Sequence, residues 1–158
     1  MQQHITRAFA AAAAALALLG AGGSPAPGLP GAPAPKTSLE QALERYSAYA
    51  GPPIDQFSWL GRFYSWEPLG RDRLVVFTNP GDAYLLKVWP PCDLRFVINA
   101  IGLTSTSHTV HARLDSVTVN SAGTGPGPLR CPIDEIRKVD YKRMRADMRA
   151  QSAAARQR

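Results

Sequence analysis

Cysteine is nearly absent from this 158-residue chain. Its two cysteines, Cys92 and Cys131, are far too distant for a C-x-x-C redox or zinc arrangement. A redox or metal role is the weaker reading for them, and a structural disulfide the better-supported one in an exported protein. Histidine is scarce too, with only His108 and His111 beyond the first 23 residues. On a helix an H-x-x-H pair could share a metal. Thr109 and Val110 favour a strand, where a spacing of three turns the rings to opposite faces, so no metal is expected. No long apolar run occurs: residues 8–19 would rise about 18 Å as a helix, against a hydrocarbon core of ~30 Å. No cysteine follows that run, which excludes a lipoprotein anchor. No nucleophile elbow accompanies the serines. The Gly123-Thr-Gly-Pro-Gly127 loop lacks the lysine and the following helix of a phosphate loop. Neither a cofactor nor a catalytic residue is expected, and the chain reads as non-enzymatic.

What is present is charge, unevenly placed. The net charge is +6, but residues 38–136 carry eight basic and ten acidic side chains, net −2. Residues 137–158 carry eight basic and two acidic, net +6. A slightly acidic body with a basic end argues against a nucleic-acid groove built into the fold.

Residues 1–23 read as a cleavable secretory signal, with Arg7 before the apolar run and Gly20, Ala21, Gly22 and Gly23 after it. An uncleaved Ala-rich helix is the alternative. Residues 24–37, with prolines at 25, 27, 30, 33 and 35, form an extended spacer. A single α+β domain is expected over residues 38–140, followed by a basic helical or frayed tail over 141–158.

Within the domain, Thr37 or Ser38 can cap a first helix, and Ser38 with Gln41 fits a capping box. Leu39, Ala42, Leu43, Tyr46 and Ala50 would share its inner face, and Gly51-Pro52-Pro53 would end it. Residues 54–88 read as antiparallel sheet: Phe57, Trp59 and Phe63 alternate, and a bulge at Gly61 would turn Tyr64 and Trp66 inward. A tight turn at Asn79-Pro-Gly-Asp82 joins two strands. After Cys92, Asp93 would cap a short helix carrying Leu94, Val97, Ile98 and Ile101, ended by Gly102. Two strands follow over 104–120, then a Gly/Pro loop, then a strand from Cys131 through Ile133, Ile136 and Val139. The expected architecture is an N-terminal helix on a small antiparallel sheet or roll of five or six strands, one short inserted helix, and a helical basic tail.

On a helical wheel capped by Asp140, Tyr141, Met144, Met148 and Ala155 share one flank of that tail, beside Lys142, Arg145, Arg149 and Arg156. Lys142, Arg143, Arg145 and Arg149 are the candidates for attachment to an anionic surface. A solvated, partly frayed tail is the plainer reading.

Several segments together carry a resemblance: Pro53-Ile-Asp-Gln-Phe57, Trp66-Glu-Pro-Leu-Gly70, Ala83-Tyr-Leu-Leu86, Cys92-Asp-Leu94, Ala100-Ile-Gly-Leu-Thr-Ser105 and Cys131-Pro-Ile-Asp-Glu-Ile-Arg137 with Val139-Asp140. The chain resembles a family of small exported proteins from Gram-negative bacteria defined only as a domain of unknown function. The resemblance spans about residues 38–141, leaves the basic tail outside, and implies a fold and a cysteine bridge but no catalytic residues. A structural or binding role at the cell envelope, periplasmic or secreted, is the leading expectation. Its partner would be an anionic envelope surface or another envelope protein. One alternative is a small-ligand or hydrolytic site walled by Trp59, Tyr64 or Trp66, with Asp55, Glu67 or His111 as polar groups. Another is docking to a partner by edge-strand addition.

Overall fold

The computed structural model describes residues 36–96, 100–119 and 128–157. The residues read as a signal, nearly all of those read as a spacer, Val97, Ile98, Gly123–Gly127 and Arg158 lie outside the described residues. Strand β4 (Arg73–Asn79) shows how the rest is layered, because Leu74, Val75, Val76 and Phe77 are all buried in succession. A strand with both faces covered reads as a continuous apolar run rather than an alternating one. Leu74 and Val76 point into one core, and Val75 and Phe77 into another.

The first core is the inside of a curled antiparallel sheet. Seven strands take part: β1 (Ala50–Ile54), β3 (Ser65–Pro68), β4, β5 (Asp82–Val88), β6 (Ile101–Leu103), β8 (Ser116–Val119) and β9 (Leu129–Val139). Their order is β3-β4-β5-β9-β8-β6, with β1 also paired to β9. Strand β9 holds the sheet together. Its first half pairs with β8 through Leu129–Pro132, and its second half runs between β5 and β1. A register shift opposite Lys87 and Val88 leaves Asp134 as an extra residue in β9. That bulge puts both Ile133 and Ile136 in the same core although they are three apart, which strict alternation forbids. A separate ribbon of β2 (Gln56–Ser58) and β7 (Thr109–His111) adds Phe57 and Val110 to this core. The α+β class expected from the sequence is what the chain adopts.

Cys92 and Cys131 form a disulfide inside that core, with Cα atoms 5.7 Å apart. The bridge ties the end of the β4–β5 hairpin to β9. The segment after Cys92 differs from expectation: Leu94–Phe96 is a single 3-10 turn, and Ile101 and Gly102 lie in β6 instead of ending a helix. Gly102 sits where a Cβ would come 2.5 Å from Thr118 Oγ1, so it is there for strand pairing.

The second core lies under two helices. Helix α1 (Ser38–Ala48) starts one residue earlier than the expected box. Thr37 is the N-cap: its oxygen accepts from the Glu40 amide, and the Glu40 carboxylate accepts from the Thr37 amide at 2.7 Å. Those Thr37 donors hold the Glu40 carboxyl below the usual range. Gln41 instead donates to the Lys36 carbonyl. Ala42 and Tyr46 are buried, whereas Leu39 stays 39% exposed. Gly51, Pro52 and Pro53 do not merely stop the helix. They lie in β1, which pairs with β9 alone, and an edge strand tolerates residues without amide donors. Helix α2 (Tyr141–Arg156) follows β9 directly, capped by Asp140, whose carboxylate accepts from the Arg143 amide. Met144 is only 2% exposed, and Tyr141 and Met148 pack beside it against Phe77 and Val75.

Candidate functional site

Helix α2 separates its residues by chemistry around its axis. At about 100° per residue, Tyr141, Met144 and Met148 fall on the flank that meets the body, while Lys142, Arg145, Arg149 and Arg156 fall within a sector of about 60° beside it. Between Lys142 and Arg156 the helix rises about 21 Å, so these four cations form a stripe rather than a point. All four are exposed. Among the described residues none of them forms an ion pair, whereas Arg143 on the opposite flank lies 3.9 Å from Asp147. The stripe is therefore made of the wheel's own basic cluster, and Arg143 belongs to a different surface.

The stripe is anchored at both sides. Tyr49 donates its phenol to Asp147 at 2.8 Å, and this bond pushes the phenol above its usual range. Arg145 lies 5.7 Å from the Tyr141 ring centroid, a cation–π distance. Arg45 of α1 reaches Met148 Sδ at 3.8 Å. The stem of Lys142 crosses the β4–β5 turn, 3.2 Å from where a Cβ on Gly81 would be. In that turn Asn79, then Lys138 and Lys142, hold the Asp82 carboxyl below its usual value. An open cleft of about 530 Å³ lies at the start of α2, lined by Tyr49, Asp82, Lys138, Lys142 and Arg143 among others. Its two carboxylates, Asp82 and Asp140, offset much of its positive charge.

The aromatic residues expected to share a pocket are distributed over different places. Trp59 is buried in the first core, tilted against Phe63 at 5.4 Å, with its indole N–H donating to the Arg62 carbonyl. Trp66 packs on the same core from β3. Tyr64 does not turn inward: Gly61 sits in the loop between β2 and β3, and Tyr64 is 65% exposed. It lines a smaller cleft with Phe77, Tyr141, Arg145 and Met148, and neither tryptophan reaches it.

The polar candidates are also dispersed. Asp55 is exposed between β1 and β2. Glu67 faces the helices and accepts the Tyr46 phenol at 3.0 Å. Burial, reinforced by that carboxylate, pushes Tyr46 far above the ordinary phenol range. His111 lies in β7 with Nδ1 3.3 Å from the buried carboxylate of Asp115, while His108 sits in a turn with positive φ rather than in a strand. Asp115 also accepts from the His111 amide at 2.8 Å and the Thr104 hydroxyl at 2.7 Å. His111 and Asp115 flank one turn, and Thr104 joins them only because β6 and β8 pair. Its hydrogen bonds close the β7–β8 turn, and the Thr104 hydroxyl in it donates to Asp115, not to the imidazole. Among the described residues no three His, Cys, Asp or Glu side chains gather as metal ligands. The sheet's edge strands β3, β6 and β1 are four, three and five residues long, and β1 carries Pro52 and Pro53, which have no amide to donate. Such short edges offer little ladder for an added strand.

No curated protein and no solved structure matches the chain. A family model does match, and it extends beyond the span expected from the quoted motifs, taking in the N-terminal segment and nearly all of α2. With residues 4–155 matched, the chain belongs to DUF6491, a family of unknown function.

Proposed function

We propose that this protein is an exported, non-enzymatic envelope module that attaches to anionic head groups through the cationic stripe of α2. The observation that carries the reading is the division of labour on that helix. Its apolar flank is already packed against the body through Met144, Tyr141 and Met148, so it is not available for insertion into a bilayer. What α2 offers outward is charge, in four exposed cations, of which Lys142 also acts on the Asp82 carboxylate across the β4–β5 turn. Attachment is then electrostatic, reversible and salt-sensitive. A disulfide in the core suits an oxidising compartment, in keeping with export. Among the described residues no helix is long and apolar enough to cross a membrane.

The test is sedimentation of the purified protein with phosphatidylglycerol-containing vesicles, beside neutral phosphatidylcholine vesicles. Each Lys or Arg near an anionic surface contributes about 1 kcal/mol. Replacing Lys142, Arg145, Arg149 and Arg156 together by Gln is expected to weaken binding roughly a thousandfold, the equivalent of about 4 kcal/mol. Arg143→Gln, whose partner is Asp147, is expected to change it only a few-fold. Wild-type protein that ignores anionic vesicles, or a fourfold variant that binds as well as wild type, refutes the proposal.

A further inference from the structure

Tyr64 presents most of its ring to solvent although it flanks a cleft that already contains Phe77, Tyr141 and Met148. The cleft encloses about 280 Å³ where the β3–β4 edge meets α2. Tyr141 stands edge-on to Phe77, with centroids 4.8 Å apart, so its floor is a fixed aromatic corner. Arg145, one of the four stripe cations, lines the cleft and is held over the Tyr141 ring. Among the described residues Arg145 pairs with no carboxylate, and Ser65 adds a hydroxyl on the same lining.

We infer that this cleft is a subsite for a phosphorylated sugar head group, resting on the attachment reading above and naming the part of the anionic surface that is recognised. Three features select that chemistry. The exposed Tyr64 ring offers a flat, electron-rich face for the C–H side of a pyranose, and its phenol can hydrogen-bond a hydroxyl. The Arg145 guanidinium presents a planar fork that fits phosphate in two parallel hydrogen bonds. The volume lies just below the usual range of small-molecule sites, which suits one sugar ring and not an oligosaccharide. The rest of the stripe then runs away from the cleft along α2 toward neighbouring phosphates. A plain glycerophospholipid head satisfies Arg145 but leaves the aromatic corner empty.

The experiment is an NMR titration of ¹⁵N-labelled protein with N-acetylglucosamine 1-phosphate, beside N-acetylglucosamine and inorganic phosphate. The sugar phosphate is expected to saturate shifts around Tyr64 and Tyr141, at least about tenfold more tightly than either fragment. Tyr64→Ala is expected to weaken it by about tenfold. Because that side chain is mostly exposed, the fold should be unaffected, and binding to phosphatidylglycerol vesicles should stay within about twofold of wild type. Sugar phosphate that binds no better than inorganic phosphate, or equally well to Tyr64→Ala, overturns the inference. Vesicle attachment that persists in that case leaves the proposed function standing, so the two ideas fail separately.

Discussion

Truncating Met144 to alanine tests the premise that α2 is part of the body. The side chain is 2% exposed and sits among Tyr46, Val75, Phe77 and Val139, so its removal leaves a cavity under the first turns of the helix. Large-to-small changes of this kind cost about 2–5 kcal/mol. The lower part, about 2–3 kcal/mol, applies here because a helix held from one side can settle partly into the space. With a urea m-value of about 1.5–2 kcal/mol/M, that corresponds to a midpoint lower by about 1–2 M. Equilibrium unfolding followed by tryptophan fluorescence and by circular dichroism measures it, and both signals should move together. Arg149→Ala, on the exposed stripe, serves as the control and should stay within about 0.5 kcal/mol of wild type. If Met144→Ala behaves like that control, α2 is a solvated appendage. Its apolar flank is then free to insert in a bilayer, and attachment by charge alone no longer follows.

Two further outcomes follow from the packing. Replacing Cys92 and Cys131 by alanine removes a closure across a sequence separation of 39 and should cost about 4 kcal/mol on loop-closure entropy. Urea unfolding of wild type with and without reductant should reproduce the difference, and an unchanged midpoint would sink the stapling argument. The raised Tyr46 phenol predicts alkaline sensitivity. Below its ordinary value near 10 both folded and unfolded states keep the proton, whereas above it only the unfolded state ionises readily, so stability falls as pH rises. Tyr46→Phe should lose about 1 kcal/mol at neutral pH with the Glu67 hydrogen bond, yet decline less steeply between pH 10 and 12. An equally steep decline in the variant would place the sensitivity elsewhere, Tyr84 being the next phenol raised by burial.

Local chemistry makes much of this fold legible in the sequence. The turn at Asn79-Pro-Gly-Asp82 is read from residues that bend the chain themselves: the Asn79 side chain accepts from the amides of Gly81 and Asp82. The first helix shows its capping residues and inner face in a single stretch, although the box was read one residue late because Ser38 and Thr37 offer similar caps. The cysteine pairing follows from scarcity, since two cysteines allow one bridge, together with the export expected of the N-terminal segment. The segment after Cys92 departs from the expected helix because a helical spacing of apolar residues is also met by a short turn followed by a strand, and only pairing with β8 settles it.

The basic cluster of α2 is a property of the sequence, since a helix of that composition places Lys142, Arg145, Arg149 and Arg156 together whatever surrounds it. Which way that helix faces is not. Its apolar flank could meet a membrane or a sheet with equal local chemistry, and the choice falls to the surface that Val75, Phe77, Ala83 and Val139 assemble from three separate strands. The same holds for Tyr64, Phe77, Tyr141 and Arg145, which lie far apart along the chain until β3, β4 and α2 come together. Side-chain type and spacing set what each element can do, but a cleft exists only where long-range pairing closes the distance between elements.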